Sequence, residues 1–203
     1  FFMEHFGEGV VFEIIHVPLT SLVPRVIYEG KSVEVSAFGL NHRVDAFGFL
    51  FREKEPARNI HKWKIKADNL TLAEIGTLKR GEDVIRPDGQ MLKVDEYTYI
   101  TYKGRSLAYC SDTAPFAELA SYIRGVDLLY HEATFAEDLL EMARMTFHST
   151  GSQAASVALE AEVGRLVIGH FSSRYRDLNI ILKEAQAIFP ATELAQEGMK
   201  FDI

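Results

Sequence analysis

The alternation of hydrophobic and polar positions divides the 203-residue chain into a strand-rich first half and a second half of alternating strands and helices. Segments rich in β-branched and aromatic residues predict strands at 10–17, 25–40 (with a turn at Glu29-Gly30-Lys31) and 46–52. A hairpin that turns at Lys103-Gly104 is predicted over 97–110. Between them, 53–96 is more polar, carries no single strong period and has a turn signal at 87–89. We therefore expect one domain over 1–203, with 53–96 as an inserted arm.

The second half predicts helices from the spacing of its apolar residues, separated by short apolar strands. The helices are expected at 114–125, 135–145, 151–163 and 177–189, and the strands at 126–134, 165–170 and, as a possible closing strand, 199–203. Thr150 and Gln153 form a capping-box pair that opens the helix at 151. Strand–helix repeats after a hairpin-rich half predict an α/β sandwich with mixed sheets.

Composition excludes several classes of protein. The chain is 47% hydrophobic and 25% charged, as globular domains are, and no apolar run approaches the roughly 20 residues that span a membrane. The net charge of −7 argues against non-specific coating of nucleic acid but allows a local basic patch. With Cys110 as its only cysteine and no signal peptide, the chain is expected in a reducing compartment, by default the cytoplasm. Its start on Phe-Phe without methionine leads us to expect a further N-terminal part in the natural protein.

Several ionisable residues fall at the ends of predicted strands, where a scaffold fixes the backbone and leaves side chains accessible. These residues are His42, Asp112, His131, Glu132 and His170, and His148 lies just before the Thr150 cap. One strand-end histidine is more often a satisfied polar residue than a ligand. Several imidazoles and a carboxylate on one face, however, are the usual site for zinc or a similar divalent ion. We expect such a site here.

Four motifs resemble, in order, those of the ribonuclease Z family within the metallo-β-lactamase superfamily. They are YCSDTAPF (109–116), LLYHEATF (128–135), FHSTGSQAA (147–155) and IGHFSSRY (168–175), and LNHRVDAFGFLF (40–51) is similar to the family's histidine-containing strand end. The resemblance covers about residues 10–200. It implies an αβ/βα sandwich, here without its N-terminal part, and a zinc-dependent endonuclease that removes 3′ trailers from tRNA precursors as a homodimer.

Carried over residue by residue, the resemblance implies two zinc ions that this chain holds in part. His42 would ligate one ion, His170 the other, and Asp112 would bridge both, although the family usually has glycine where this chain has Ser111. Two divalent ions about 3.5–4 Å apart stabilise charge on a phosphodiester during in-line displacement. A carboxylate between them has to serve both ions, so asparagine at position 112 would not suffice.

The resemblance also implies roles for residues that would not bind metal. His148 would donate a proton to the leaving ribose oxygen. Glu132 and His131 would orient His148 or the ligands, as the outer partners of metal sites do. Ser172 and Arg174 would contact the scissile phosphate.

The chain departs from the family pattern in its principal metal motif. The signature His-x-His-x-Asp-His is absent from the 203 residues, and the neighbours of His5 and His16 do not match it. By resemblance the motif belongs upstream, so the chain is expected to be the C-terminal two-thirds of the protein. We therefore expect the chain alone to bind zinc weakly or not at all and to lack hydrolase activity.

The arm is a second departure, because it stands where the family carries an exosite for tRNA but lacks the Gly-Pro-rich tip. Residues 52–66 hold six Lys/Arg against two Glu, and Trp63 lies between lysines. Lys62, Lys64 and Lys66 are therefore candidate contacts to RNA phosphates. The alternative is a solvated face with Trp63 packed against the protein.

Two other functions stay open at this point. One keeps the fold and the metals but changes the substrate, as in a phosphodiesterase, an arylsulfatase-like enzyme or a thioester hydrolase, because superfamily membership does not fix the substrate. The other is a non-catalytic interaction module that has no upstream metal motif. The HEATF and HST motifs favour the nuclease.

Overall fold

The computed structural model describes residues 18–19 and 22–203, so the strand predicted at 10–17 lies outside the described residues. Eleven strands form within that part of the chain. They are β1 Arg25–Glu29, β2 Val33–Gly39, β3 Phe47–Glu53, β4 Asn59–Ile60, β5 Val84–Ile85, β6 Met91–Leu92, β7 Thr98–Tyr99, β8 Ser106–Cys110, β9 Leu128–Glu132, β10 Arg165–Gly169 and β11 Thr192–Leu194. The strands predicted at 25–40, 46–52, 126–134 and 165–170 correspond to β1 with β2, β3, β9 and β10.

Seven α-helices accompany these strands in the described residues. They are α1 Lys62–Ala67, α2 Leu72–Lys79, α3 Val94–Tyr97, α4 Leu119–Tyr122, α5 Leu140–Thr146 (directly preceded by a 3₁₀ turn at Glu137–Leu139), α6 Gly151–Glu160 and α7 Asn179–Ile188. The predicted capping box is confirmed: the Thr150 hydroxyl accepts from the Gln153 N–H, and the Gln153 side chain accepts from the Thr150 N–H. Among the described helices, none combines the length and the apolar character needed to cross a membrane.

Seven of the strands form one mixed sheet in the order β1-β2-β3-β8-β9-β10-β11. β1, β2, β3 and β8 pair antiparallel, whereas β8, β9, β10 and β11 pair parallel. The predicted α/β fold with a mixed sheet is therefore confirmed. The parallel register aligns Cys110 with His131 and Glu132 with Gly169, so β8, β9 and β10 end at the same edge.

The main hydrophobic core lies between one face of this sheet and the helices α6 and α7. Because side chains alternate between the faces of a strand, Leu50, Ala108 and Leu129 all point into this core. Gly151 allows α6 and α7 to approach closely, since a Cβ at this position would lie 2.8 Å from the Ile181 carbonyl oxygen. The helices therefore cover one face of the sheet tightly.

The opposite face of the sheet is only partly covered. Phe51 and Tyr109 are 37% and 40% exposed, and the Tyr109 ring stacks on Tyr130 with the centroids 4.7 Å apart. An αβ/βα sandwich places a second sheet against such a face, and the described residues form no second sheet of comparable size.

The arm and the residues that follow it have a separate hydrophobic core. This second cluster consists of Ile60, Leu70, Leu78, Leu92, Val94 and Tyr97. β4 pairs with β7, and β5 pairs with β6 around the predicted turn at 87–89. Thr71 and Glu74 form a capping box at the start of α2, and Glu74 Oε1 accepts a 2.7 Å hydrogen bond from Arg86 Nε. The hydrophobic pattern did not predict α1 or α2 because neither carries a long apolar stripe.

Three predicted elements are wrong in detail. Residues 97–110 do not form a hairpin, because β7 pairs with β4 while β8 pairs with β3. The closing strand at 199–203 does not form: β11 occupies the outer edge of β10, and the Arg165 guanidinium lies 5.7 Å from the centre of the Phe201 ring. The helix predicted at 114–125 is the single turn α4, and Gly125 in the left-handed region (φ 69°) ends this segment.

Candidate metal centre

Three of the four parallel strands, β8, β9 and β10, carry site residues to one edge of the sheet. Asp112 lies two residues after β8, Glu132 is the last residue of β9, and His170 directly follows β10. His170 has a φ of 61°, in the left-handed region that residues other than glycine rarely adopt. A 2.8 Å hydrogen bond from the Ala133 N–H to the Gly169 carbonyl ties the two loops together at this turn.

His42 and His148 reach the same edge from other elements. His42 follows β2, and its Nδ1 lies 2.9 Å from the carbonyl oxygen of Phe147, the left-handed residue that ends α5. His148 comes next in the chain, and its ring centroid lies 5.0 Å from that of His42 and 5.3 Å from that of His170. The structure thus brings His42, Asp112, His148 and His170 together, as the sequence predicts.

Asp112 lies between the two predicted histidine ligands. Its Oδ2 is 4.0 Å from His42 Nε2, and its Oδ1 is 3.5 Å from His170 Nε2. Two ligands of one tetrahedral zinc with bonds of about 2.1 Å lie about 3.4 Å apart. One ligand atom of each of His42, Asp112 and His148 also falls within 4.8 Å of the other two. Imidazole nitrogen with carboxylate oxygen is a donor set that zinc accepts, so these residues fit a divalent ion on either side of Asp112.

Hydrogen bonds at Nδ1 fix the tautomers of all three histidines. The Phe147 carbonyl can only accept, so His42 donates from Nδ1. His148 Nδ1 lies 2.8 Å from Glu132 Oε1, and His170 Nδ1 lies 2.9 Å from the hydroxyl oxygen of Thr134. In each ring the proton on Nδ1 leaves the Nε2 lone pair free for a metal ion or a proton.

Glu132 is the centre of this hydrogen-bond network and is fully buried. Its Oε1 accepts from the backbone N–H groups of Thr113 and Ser149 and from His148 Nδ1, at 2.8–3.1 Å. Its Oε2 accepts from the N–H and the hydroxyl of Thr134 at 2.9 and 2.8 Å. A carboxylate offers about four acceptor positions, so these donors leave no lone pair of Glu132 for a metal ion.

The network also sets the charges of its members. Burial alone would raise the pKa of Glu132, but the hydrogen bonds from His148 and Thr134 outweigh burial, and the pKa is lowered. The same hydrogen bond raises the pKa of His148 above its ordinary value of 6.5, against the opposing effect of burial. Glu132 is therefore ionised, and His148 holds its proton more readily than a free imidazole.

His131 does not join the cluster. Its ring is fully buried on β9, its Nδ1 lies 2.6 Å from the carbonyl oxygen of Glu132, and its Nε2 has no hydrogen-bond partner among the described residues. Burial lowers the pKa of His131, so the ring is neutral. Among the described residues, its hydrogen bond to the site goes to the backbone carbonyl of Glu132.

The predicted phosphate contacts fall in two separate places. Ser172 and Arg174 follow His170, and the exposed Arg174 donates from Nη1 to the Ser172 hydroxyl at 3.3 Å. Lys62, Lys64 and Lys66 lie on α1 in the arm, where Lys64 is half-buried.

Trp63 lies among these lysines and does not pack against the protein. Its side chain is 66% exposed, so the packing of Trp63 against the protein in the alternative is wrong, whereas a solvated face without RNA contacts stays open. The basic segment of the arm therefore presents an aromatic side chain to solvent.

Sequence reasoning missed Thr134, which connects Glu132 to His170 through its hydroxyl. The residue lies inside the HEATF motif, two positions after Glu132, and that spacing was the available signal. It also missed the backbone carbonyl of Phe147, which no side-chain pattern reveals.

Comparison with known proteins decides the family. A family model described as "Beta-lactamase superfamily domain" matches residues 40–171, well over half of the chain. The chain belongs to this superfamily. The matched span contains every residue of the candidate metal centre.

Curated relatives of this β-lactamase superfamily member carry the name Ribonuclease Z, which confirms the resemblance drawn from the motifs. The protein of Bacteroides thetaiotaomicron is 39% identical over 197 residues, covering 97% of this chain and 62% of that protein. The protein of Cytophaga hutchinsonii is 48% identical over 176 residues, covering 86% of this chain and 56% of that protein. The chain thus spans only about three-fifths of the length of these relatives.

Solved structures support the fold. Human tRNase Z, short form, matches with a TM-score of 0.52 and 22% identity, covering 87% of this chain and 45% of that chain. The metallo-β-lactamase fold protein YhfI from Bacillus subtilis matches with a TM-score of 0.57 and 15% identity, covering 90% and 54%. At these identities the likeness concerns the fold alone.

Proposed function

We propose that this chain is the C-terminal part of a zinc-dependent endoribonuclease that removes 3′ trailers from tRNA precursors and leaves a tRNA 3′-hydroxyl. The observation that carries the proposal is the position of Asp112, whose two oxygens lie nearest the free Nε2 atoms of different histidines, His42 and His170. A carboxylate so placed suits two divalent ions held side by side. Similarity to proteins named Ribonuclease Z supports the choice of substrate.

His42 and Asp112 are proposed to hold one zinc ion, and Asp112 and His170 the other. When bound, the ions would stabilise the negative charge that develops on the phosphate during displacement. The remaining ligands are assigned to a His-x-His-x-Asp-His motif outside these 203 residues. The chain alone is accordingly expected to bind zinc weakly and to be inactive.

His148 is proposed to supply the proton that the leaving ribose oxygen needs. Its Nδ1 is engaged by Glu132, so the proton is transferred from Nε2. Because Glu132 raises the pKa of His148, more of the ring is protonated near neutral pH. His131 is proposed to help to position Glu132, because its Nδ1 donates to the Glu132 carbonyl.

Substrate binding is proposed to use both basic regions. Ser172 and Arg174 contact the scissile phosphate, and their mutual hydrogen bond keeps the two donors together. The arm, with Lys62, Lys64 and Lys66, contacts the tRNA precursor away from the cleavage point. The protein is further proposed to act as a cytoplasmic homodimer.

The test uses the natural full-length protein with a tRNA precursor carrying a 3′ trailer and, in parallel, a small chromogenic phosphodiester. We expect trailer removal, and His148→Ala should lower its rate by about 10²–10⁴-fold while zinc content is retained. Asp112→Asn should lose zinc and both activities. Loss of zinc from His148→Ala would instead make His148 a ligand.

Hydrolysis of the small phosphodiester with an uncut tRNA precursor would support another hydrolase of the superfamily. Absence of both activities in the zinc-loaded full-length protein would support the interaction module. Zinc held tightly and near stoichiometrically by the 203 residues alone would contradict the assignment of ligands to an upstream motif.

A further inference from the structure

Three aromatic rings form an exposed cluster on the arm, outside the metal centre. The His61 ring centroid lies 5.0 Å from that of Tyr99, with 32° between the ring planes, and 6.4 Å from that of Trp63. The Trp63 and Tyr99 side chains are 66% and 44% exposed. Large aromatic surfaces are thus presented to solvent in one place.

The backbone and the half-buried Lys64 contact these rings. Tyr99 lies in β7, whose partner β4 ends just before His61, and the His61 N–H donates to the Tyr97 carbonyl at 3.0 Å. Lys64 Nζ lies 4.0 Å from the centroid of the Tyr97 ring and 5.3 Å from that of Trp63. The cluster therefore needs little ordering before it binds a ligand.

The segment that carries His61 and Trp63 is positively charged although the whole chain carries −7. Residues 56–67 contain four Lys/Arg and no Asp or Glu. Lys62 and Lys66 are exposed one helical turn apart on α1, whereas Arg58 is partly neutralised by Asp95 at 3.5 Å. The two exposed lysines thus provide a cationic rim next to the rings.

We propose that His61, Trp63 and Tyr99 form a stacking site for unpaired bases of single-stranded RNA, with Lys62 and Lys66 on the flanking phosphates. Single strands present base faces that a duplex hides, and aromatic side chains next to cations bind those faces. A protein partner fits less well because the centres of protein interfaces are depleted in lysine. The choice of RNA as the nucleic acid rests on the proposed function.

The experiment uses the fluorescence of Trp63, the only tryptophan in the chain. The 203-residue chain is titrated at low salt, with EDTA present, with a single-stranded U12 RNA and with a 12-base-pair RNA duplex. We expect saturable quenching by the single strand and weaker binding of the duplex. Anisotropy of labelled U12 measures the affinity of variants that lack the tryptophan.

His61→Ala, Trp63→Ala and Tyr99→Ala should each weaken binding of U12 by about 5- to 150-fold, the range for loss of one base-stacking partner. Tyr28→Ala, which removes an exposed tyrosine on β1, is the matched control and should bind normally. The double variant Lys62→Gln/Lys66→Gln should reduce the slope of log affinity against log salt by about 1.4. The quenching at saturation should stay unchanged in that variant, because the rings are intact.

Three results would overturn the stacking site. They are normal affinity in all three ring variants, equal quenching by duplex and single strand, and quenching that depends on protein concentration without RNA, which would indicate contact between copies of the chain. Quenching of the 203-residue chain, together with a tRNA precursor left uncut by the zinc-loaded full-length protein, would leave the stacking site intact and refute only the proposed function. Cleavage by the full-length protein without quenching of the 203-residue chain would refute only the stacking site.

Discussion

The Thr134 hydroxyl is the most informative group to remove, because it connects the buried carboxylate to a proposed metal ligand. It donates to Glu132 Oε2 at 2.8 Å and accepts from His170 Nδ1 at 2.9 Å, and the residue is 7% exposed. Thr134→Val keeps the shape but places a methyl group against an ionised oxygen. A hydrogen bond to a charged group contributes about 1.5–3 kcal/mol, so we expect the free energy of unfolding to fall by about 2 kcal/mol.

The assay combines urea unfolding, followed by circular dichroism in EDTA, with long-range 1H–15N spectra of the histidine rings. In Thr134→Val, His170 should lose its fixed Nδ1–H tautomer and show the mixture of a solvated imidazole. Thr192→Val is the matched control, since that threonine is equally buried and donates only to the Phe189 carbonyl. The control should lose about 1 kcal/mol and leave His170 unchanged. An unaltered His170 tautomer in Thr134→Val would refute the reasoning.

Three further predictions test the scaffold and its pH dependence. Thr150→Ala should lower the free energy of unfolding by about 1–2 kcal/mol through loss of the helix cap, and Thr150→Ser should restore most of it in urea unfolding. Gly151→Ala should destabilise by about 1–3 kcal/mol in the same assay despite better helix propensity, because the added Cβ would meet the Ile181 carbonyl at 2.8 Å. Burial lowers the pKa of His131, so below pH 6.5 the unfolded chain binds a proton that the folded chain does not, and the free energy of unfolding should fall with acidification. His131→Gln should flatten the slope of unfolding free energy against pH between pH 6.5 and 5. An unchanged slope would contradict a neutral buried ring.

The sequence predicts the core of the fold because the relevant patterns are local. The strands around Leu129 and Ile168 are short apolar runs, and Thr150 announces its helix through a four-residue cap. The errors concern the pairing of strands that lie far apart in the sequence. Nothing local says that Thr98 and Tyr99 pair with β4 instead of folding back on β8, or that β11 takes the sheet edge expected for residues 199–203.

In the candidate site, too, local patterns predict some positions, whereas contacts between distant residues are not predicted. Strand ends place Asp112, Glu132 and His170 at one edge, which the alternation of strands and helices already predicts. The contact between His42 and the Phe147 carbonyl joins residues 105 positions apart. It depends on a left-handed residue at the end of α5 that the sequence pattern does not reveal.

Glu132 joins distant residues of the candidate site through one hydrogen-bond network. Its donors come from three separate loops: Thr113 after β8, Thr134 after β9, and Ser149 with His148 before α6. A buried carboxylate that lost any of them would carry an unsatisfied charge in the core, which is costly. The hydrogen bonds to the Glu132 carboxylate therefore hold the three loops together. Asp112 lies on the first of these loops, and His170 is joined to Glu132 through the Thr134 hydroxyl. His42 is held by the carbonyl of Phe147, which directly precedes His148. Hydrogen bonds within the protein thus link the two histidine ligands to the loops around Glu132.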